Sequence, residues 1–158
     1  MTEVMNNILV LGKTDAGRLN VKQEKICMNE LIKDVMSDKV SVSEGKDTFS
    51  LQINGECYYM YLDPQLMRHV VYNLLSNALK YTLSDRVPEI LIDYLPDELH
   101  IHVKDYGIGI PDSEMQHLFT SFFRASNTIN IQGIGLGLVI VKQLVEMHGG
   151  RVEVTSKY

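Results

Sequence analysis

The stretch NLLSNALKYT, residues Asn73–Thr82, has the apolar spacing of an α-helix but carries two asparagines, Asn73 and Asn77, one turn apart. Asparagine is costly inside a helix, because its side-chain amide competes for backbone hydrogen bonds. Asp63 and Pro64 precede the stretch as an N-cap and a first helical residue, so we predict one long helix. The cost of the two asparagines indicates that they serve something other than helix formation.

On a helical wheel, the segment separates into an apolar face and a neighbouring polar face. The apolar face, which is expected to pack on a core, contains Val71, Leu74, Leu75 and Ala78. The polar face contains Asn73, Asn77, Lys80 and Tyr81. Simple solvent exposure would explain a polar face, but residues with better helix propensity than asparagine usually build one. Neutral amide oxygens suit a hard cation such as Mg²⁺, and a nearby lysine suits a phosphate.

The composition indicates one globular domain with a short appendage. The chain has 158 residues, of which 45% are hydrophobic, and a formal net charge of -5 that argues against a nucleic-acid binder. Cys27 and Cys57 are its only cysteines, too few for a disulfide framework or a metal site, so we expect a reducing compartment. Because the sequence shows no signal peptide and no apolar span, we expect a cytoplasmic chain that does not contact a membrane. The same expectation holds if the chain is part of a larger, membrane-bound protein.

The remaining elements predict an α+β fold, with helices on one face of a mixed, mostly antiparallel sheet. An N-terminal helix is expected to stop at Gly17, and the helix MNELIKDVMSDKV to be capped by Asn29. The pair Asn54-Gly55 between two strand-like runs indicates a hairpin. Further strands are predicted at EILIDYL, LHIHVK and RVEVTS, and a helix at LGLVIVKQLVEMH.

Two glycine clusters follow, DYGIGIP after a predicted strand and GIGLGL running into a helix. A glycine-rich loop that leads into a helix directs free N–H groups at an anion. Each cluster alone is a weak signal, because an ordinary turn has the same composition, and the second has neither Walker nor Rossmann spacing. A buried carboxylate at Asp105 would suit the exocyclic amine of adenine; the alternative is a turn or cap acid.

Taken in order, four segments resemble the motifs of the ATP-binding catalytic domain of sensor histidine kinases, within the wider group of gyrase, Hsp90 and MutL. NLLSNALKYT is similar to the N box, DYGIGIP to the first glycine box, FTSFFR to the F box and GIGLGLVIVKQLVEMHGG to the second glycine box. The resemblance implies a Bergerat-type two-layer α/β sandwich over residues 21–158. Residues 1–20 resemble the end of a dimerisation and phosphotransfer helix with its linker.

The resemblance implies a site for ATP and Mg²⁺. Asn77 would coordinate Mg²⁺, Asn73 would support the phosphates or the waters of the metal, and Lys80 would contact the phosphate tail. Asp105 would bind the adenine amine and Arg124 would reach the γ-phosphate, so the implied catalytic residues are Asn73, Lys80 and Arg124. The further positions implied to bind the nucleotide are Tyr81, Gly107, Gly109, Ile110, Gly133, Gly135, Leu136 and Gly137.

The position of Asn73 separates the activities within the wider group. Its self-contained ATPases carry a general-base glutamate there, so the resemblance implies a domain that donates the γ-phosphoryl to a histidine. None of the five histidines is followed by the acidic residue typical of the acceptor, which we therefore expect on a dimerisation helix absent from this chain. Implied partners are that helix and a response regulator receiver domain, with a homodimeric parent kinase. The alternatives are a non-catalytic nucleotide-binding or docking module, or a clamp-type ATPase.

Some positions carry additional expectations. Ile134 stands where the second glycine box usually has a hydroxyl residue, and residues 125–132, ASNTINIQ, are expected to form a mobile lid. Of Phe119, Phe122 and Phe123, we expect at least one in the core. The family domain normally has one more strand after RVEVTSKY, so the sheet is expected to have an exposed edge. This chain alone should bind nucleotide without phosphorylating itself.

Overall fold

The computed structural model describes residues 2–40, 49–82 and 85–158. Its α-helices are α1 (Thr2–Asp15), α2 (Met28–Val40), α3 (Pro64–Tyr81) and α4 (Gly137–Met147). Its β-strands are β1 (Glu24–Ile26), β2 (Ser50–Asn54), β3 (Met60–Leu62), β4 (Glu89–Tyr94) and β5 (Leu99–Lys104). Two 3₁₀ turns lie at Asp112–His117 and Ser126–Thr128. The chain divides into a central unit, Gln23–Gly107, and a terminal unit formed by Met1–Lys22 and Ile108–Tyr158.

The central unit contains all five strands, in two sheets rather than the single sheet expected. A three-stranded sheet has the order β2-β4-β5, in which β2 and β4 are parallel and β4 and β5 are antiparallel. A two-stranded antiparallel sheet joins β1 to β3. Ile90, Ile92 and Tyr94 are buried on one face of β4, as expected for alternating side chains of a half-buried strand. The α+β class is confirmed.

The predicted hairpin at Asn54-Gly55 is wrong, because β2 pairs with β4 and β3 pairs with β1. Gly55 does adopt a positive φ of 81°, as a turn residue would. A Cβ there would lie 2.5 Å from the carbonyl oxygen of Tyr94, so the glycine permits a close approach to the end of β4. Asn54 also donates a 2.8 Å hydrogen bond to the carboxylate of Asp93 on β4. The pair of residues therefore matches a tertiary contact, not a two-residue hairpin turn.

The long helix predicted around the two asparagines is confirmed as α3. Asp63 caps it by accepting 3.0 Å hydrogen bonds from the backbone N–H groups of Gln65 and Leu66, and Pro64 is its first residue. The predicted cap of α2 is wrong, because α2 already begins at Met28 and Asn29 lies in its first turn. The carboxamide oxygen of Asn29 instead accepts a 2.8 Å hydrogen bond from the Tyr94 hydroxyl. Helix α2 packs against α3, and α3 contacts β5.

In the terminal unit, α1 packs against α4. Helix α1 ends as predicted, because Gly17 has a φ of 62° and closes the last turn. Helix α4 also matches the prediction and buries Val139, Ile140, Val141 and Leu144. Among the residues that the structure describes, no helix combines the length and the apolar character needed to cross a bilayer.

The predicted last strand, RVEVTS, is wrong, because residues 151–158 belong to no sheet of the described chain. The alternation of Val152 and Val154 gives a strand-like pattern, but a strand requires a partner for its backbone groups. The segment instead meets the first glycine box within the terminal unit, where the N–H of Ile110 donates a 2.9 Å hydrogen bond to the Ser156 hydroxyl. The expected sheet edge therefore has no counterpart at this segment.

Candidate functional site

The two asparagines of α3 have different surroundings. Asn73 is buried, with 4% of its surface exposed, and its side-chain N–H donates a 2.8 Å hydrogen bond to the carbonyl oxygen of His69. Asn77 is half-buried, and its side-chain amide makes no hydrogen bond within the described part of the chain. The predicted polar face is therefore divided: the side chain of Asn73 is fixed against its own helix, while the amide of Asn77 makes no such contact.

Burial also affects the residue that accepts the hydrogen bond from Asn73. Desolvation lowers the pKa of the His69 imidazole below its ordinary value of 6.5. His69 is therefore neutral at physiological pH, and it adds no positive charge to this part of α3. The electrostatic character of the helix face consequently depends on Lys80, near its C-terminal end.

The end of α3 meets the first glycine box inside the central unit. Lys80 Nζ lies 5.0 Å from the ring centroid of Tyr81, within cation–π range, and both side chains are half-buried. Thr82 forms an isolated antiparallel bridge with Gly107. A Cβ at Gly107 would collide with the carbonyl oxygen of Tyr81, so only glycine fits this approach. The structure thus brings together two motifs that lie 25 residues apart in the sequence.

Asp105 is exposed, so the expectation of a buried carboxylate is wrong. One carboxylate oxygen accepts a 2.9 Å hydrogen bond from the N–H of Gly107, which is the arrangement of a turn acid. Asp105 follows the last residue of β5, where the chain leaves the sheet and its backbone groups need new partners. The turn-acid alternative therefore describes the contact that one carboxylate oxygen of Asp105 makes.

In the terminal unit, the two glycine boxes are positioned by backbone contacts. Gly109 has a φ of 67°, and a Cβ there would collide with the carbonyl oxygen of Lys157. Gly135 has a φ of 72°, and a Cβ there would collide with the carbonyl oxygen of Phe123. The N–H of Phe122 donates a 3.1 Å hydrogen bond to the Gly135 carbonyl, so the F box lies directly against the second glycine box.

One residue at this contact is strained, and no sequence motif indicates it. Phe122 has a φ of 65°, the single positive value found for a residue other than glycine in the described chain, and its side chain is 68% exposed. A bulky side chain in this region costs about 1–3 kcal/mol and persists only where the surroundings impose it. Aromatic residues normally avoid a positive φ. A phenylalanine in the sequence therefore does not indicate this conformation.

The expectation that Phe119, Phe122 or Phe123 belongs to the core is wrong, because none of the three is fully buried. Phe119 lies under Lys142, whose Nζ is 5.3 Å from the ring centroid, and the Phe123 ring lies 5.5 Å from that of His117. The buried residue next to the motif is Leu118. Phe119 and Phe123 therefore contact side chains near the surface.

Helix α4 begins inside the second glycine box. Gly137 is its first residue, and Leu136, fully buried, occupies the N-cap position without a side-chain hydrogen bond. The first N–H groups of an α-helix have no partner within the helix, and they carry the positive end of its dipole. Because leucine offers no capping oxygen, these N–H groups suit an anionic ligand such as a phosphate.

Arg124 holds the segment predicted to be a lid. Its guanidinium donates hydrogen bonds to the carbonyl oxygens of Thr128 and Ile131, and a longer one of 3.4 Å to that of Ile129. Its Nε is buried without a partner. The segment has further anchors: the Asn127 amide donates to the Gly109 carbonyl at 2.9 Å. Arg124 thus contacts carbonyl groups of its own loop, and the mobility of that loop stays a prediction.

Comparison with known proteins identifies the family of this chain. Residues 62–158 match the family model described as histidine kinase-, DNA gyrase B- and HSP90-like ATPase. The chain belongs to this family. The matched residues include all four sequence motifs together with α3, β4, β5 and α4. Binding of ATP is the property that this family implies for the chain.

The similar proteins are histidine kinases. The chain is 33% identical over 161 residues to the circadian input-output histidine kinase CikA of Synechococcus elongatus, covering 99% of this chain and 21% of that protein. It is 32% identical over 160 residues to the sensor protein kinase WalK of Staphylococcus saprophyticus, covering 99% of this chain and 26% of that protein. The solved mycobacterial sensor histidine kinase MprB matches with a TM-score of 0.63 and 27% identity, over 81% of each chain. The chain thus spans about a quarter of these curated relatives, corresponding to the ATP-binding catalytic domain of sensor histidine kinases.

Proposed function

We propose that this chain binds Mg·ATP and donates the γ-phosphoryl group to a histidine on a dimerisation helix of its parent kinase. The observation that carries the proposal is Asn73, which stands one turn before Asn77 where the ATPases of the family have a general-base glutamate. Its amide is buried and donates a hydrogen bond to the carbonyl of His69. An amide does not accept a proton from water at neutral pH, so hydrolysis should be slow and the phosphoryl group retained for another nucleophile.

Asn77 is the residue that would hold Mg²⁺, through the oxygen of its half-buried amide. Within residues 2–40, 49–82 and 85–158, no cluster of three or more histidine, cysteine, aspartate or glutamate side chains could bind a metal by itself. Mg²⁺ typically keeps several waters and takes its remaining ligands from phosphates and one or two protein oxygens. A single amide therefore fits this ion. When bound, the ion neutralises phosphate charge.

The phosphate groups would be held by main-chain and cationic groups. In the terminal unit, the uncapped N-terminus of α4 offers N–H groups and the positive end of the helix dipole. In the central unit, Lys80 offers an ammonium group at the end of α3. Arg124 would reach the γ-phosphate, but one of its guanidinium nitrogens already donates to the carbonyl oxygens of Thr128 and Ile131, so the lid and the nucleotide would compete for that nitrogen.

The base would be recognised at the first glycine box. Asp105 has one carboxylate oxygen committed to the Gly107 N–H, which fixes the orientation of the carboxylate. The other oxygen can accept from the exocyclic amine of adenine. The ring of Tyr81 lies at the end of α3, whose last carbonyl approaches Gly107, so Tyr81 would pack beside the base.

One observation favours a second candidate, a nucleotide-free docking module. One guanidinium nitrogen of Arg124 already donates to the lid carbonyls of Thr128 and Ile131, and Ile134 provides no hydroxyl for a phosphate. In that case the partner would be a receiver domain or another regulator, with no phosphoryl transfer.

A nucleotide titration distinguishes the two candidates. Mg·ATP should raise the melting temperature and shift the amide resonances of Gly107 and Gly135, because a ligand that binds only the folded state stabilises it. The Asn77→Ala variant should lose the Mg²⁺-dependent part of this shift. Ser76→Ala, on the same turn of α3, is the matched control and should keep it. If Mg·ATP moves neither resonance in the unmodified chain, the docking module is the correct candidate.

A second experiment separates kinase from ATPase. Mixed with a fragment that carries the dimerisation helix of the parent kinase, the chain should place acid-labile phosphate on the histidine of that fragment. A response regulator receiver domain added next should remove the phosphate. Rapid release of inorganic phosphate without any acceptor would instead identify a clamp-type ATPase.

A further inference from the structure

Two thiols that are distant in the sequence meet in the central unit. The sulfur atoms of Cys27 and Cys57 are 2.8 Å apart, although 30 positions separate the residues along the chain. Cys27 is buried and Cys57 is exposed, and both are free thiols. The distance exceeds an S–S bond by only about 0.8 Å, so bond formation requires only a small movement of the side chains. The spacing of the two cysteines in the sequence does not indicate this contact.

The two sulfur atoms have complementary surroundings. Burial raises the pKa of Cys27, but hydrogen bonds from the Cys57 thiol and from the backbone N–H groups of Glu30 and Asn29 outweigh it, so the pKa falls below 9.0. These N–H groups belong to the first turn of α2, a location that favours a thiolate. Hydrogen bonding to Cys27 in turn raises the pKa of Cys57, whose thiol also donates to the Tyr94 hydroxyl at 3.5 Å. Cys27 is thus the thiol of the pair that loses its proton more readily, which makes it the better nucleophile.

A small oxidant can reach this pair. A surface cavity of about 290 Å³ in the central unit has Cys27 in its wall, together with Lys25, Tyr59 and Arg68. Cys57 lies on the exposed connection between β2 and β3. A molecule of the size of hydrogen peroxide can therefore approach Cys27 through this cavity and Cys57 from the surface.

We propose that Cys27 and Cys57 form a peroxide-reactive dithiol that closes to an intramolecular disulfide. The Cys27 thiolate attacks one oxygen of hydrogen peroxide and breaks the O–O bond, becoming a sulfenic acid, and the departing hydroxide takes up a proton to give water. Cys57 then loses its proton, attacks the Cys27 sulfur and displaces hydroxide, which becomes a second water. Two thiols are oxidised to one disulfide, and one peroxide is reduced to two waters.

The disulfide would join the start of α2 to the connection between β2 and β3. Helix α2 packs against α3, the helix that carries Asn73 and Asn77. Closing a loop of this length restricts the unfolded chain, so oxidation should raise the melting temperature by about 5–10 °C. The inference is independent of the proposed function, because neither thiol belongs to the residues assigned to ATP.

The first experiment uses the chain with both cysteines. The reduced protein is treated with an equimolar amount of hydrogen peroxide and then with an alkylating agent. The expected product has lost two hydrogen atoms, resists alkylation and yields a peptide that links Cys27 to Cys57, and dithiothreitol reverses the change. Two alkylated thiols after treatment, or disulfides only between chains, would overturn the proposal.

Single variants test the assigned roles. Cys57→Ser, at an exposed position, should trap a sulfenic acid on Cys27 that dimedone labels. Cys27→Ser keeps a hydroxyl that suits the residue before a helix, so it should fold, and its Cys57 should react at least about tenfold more slowly. Equal rates in the two variants, or dimedone on Cys57 alone, would contradict the assignment of Cys27 as the nucleophile. If a variant fails to fold, the linked peptide from the unmodified chain still shows whether the disulfide between Cys27 and Cys57 forms.

Discussion

The central and terminal units position their candidate residues by different means. In the central unit, Asn73, Asn77 and Lys80 are side chains of one regular helix, α3, and helical periodicity alone sets their spacing. In the terminal unit, the second glycine box is held by contacts between loops, including a Phe122–Gly135 hydrogen bond. The arrangement on the helix can be inferred from the sequence. The arrangement of the loops depends on backbone geometry, which the residue types do not indicate.

The difference predicts where substitutions are most damaging. A side chain on a helix can be replaced without moving the backbone, so a change in the central unit should affect one interaction at a time. A change at a positive-φ glycine should displace the loop that contacts it. The following predictions test this contrast, beginning with the largest expected effect.

Gly135→Ala should destabilise the protein by about 3 kcal/mol or more. The residue has a φ of 72°, which costs alanine about 1–2 kcal/mol, and the added Cβ would collide with the backbone oxygen of Phe123. Urea unfolding followed by circular dichroism measures the loss. Gly12→Ala in α1 is the matched control, because its Cβ would meet no atom within 4 Å and alanine favours a helix. Equal stabilities of the two variants would mean that neither the positive φ of Gly135 nor its close approach to Phe123 constrains this position.

Asp63→Ala should cost about 1–2 kcal/mol in the free energy of unfolding. The carboxylate caps α3 with two 3.0 Å hydrogen bonds, to the N–H groups of Gln65 and Leu66, and alanine leaves both donors without that partner. The urea midpoint is the measurement. Asp63→Asn keeps a capping oxygen and should cost only a few tenths of a kcal/mol. A loss as large for Asn as for Ala would mean that the charge, not the cap, stabilises the helix.

Arg124→Lys should speed amide hydrogen exchange at Thr128 and Ile131 about tenfold. Lysine keeps the charge, but its flexible ammonium group does not reproduce the fixed position of the guanidinium nitrogen that contacts carbonyl oxygens of the lid. The control is Arg151→Lys, since its 3.0 Å ion pair with Glu153 is exposed and worth little. Unchanged exchange in the Arg124 variant would show that the lid is held by its other hydrogen bonds.

The smallest expected effect is a pH dependence of the free energy of unfolding, caused by His69. Burial lowers the pKa of His69 in the folded protein, so below pH 6.5 the unfolded chain binds a proton that the folded chain does not. The free energy of unfolding should therefore fall as the pH drops from about 7 through the folded pKa. His69→Gln should reduce this slope, measured by urea unfolding between pH 5 and pH 8. An identical slope in both proteins would mean that His69 is not desolvated.

The helices could be predicted because the residues that start and end them act on neighbouring backbone groups. The N-cap pair Asp63-Pro64 begins α3, and Gly17 ends α1, since both signals depend on neighbouring backbone groups. Strand pairing could not be predicted in the same way. The Asn54-Gly55 pair suggested a hairpin, but Gly55 serves a contact with Tyr94 on another strand. Which strands pair is decided by long-range packing, which turn residues do not encode.

The candidate site shows the same division. The spacing of Asn77, Lys80 and Tyr81 followed from helical geometry, and the motifs identified the family later shown by comparison. The burial of Asn73, the turn contact of Asp105 and the carbonyl partners of Arg124 did not follow, because each depends on atoms distant in sequence or on the path of a loop. The role of each residue toward ATP stays a prediction.

By itself, the sequence determined the helices, the four motifs and the presence of Asn73 one turn before Asn77, because residue types and short spacings carry that information. Only the tertiary structure decided that Gly135 supports the F box and that Cys27 meets Cys57 at 2.8 Å. Such contacts arise when packing brings separate segments together. The physical reason is that a local pattern specifies the dihedral angles of its own residues, whereas the distance between two remote groups depends on every element between them.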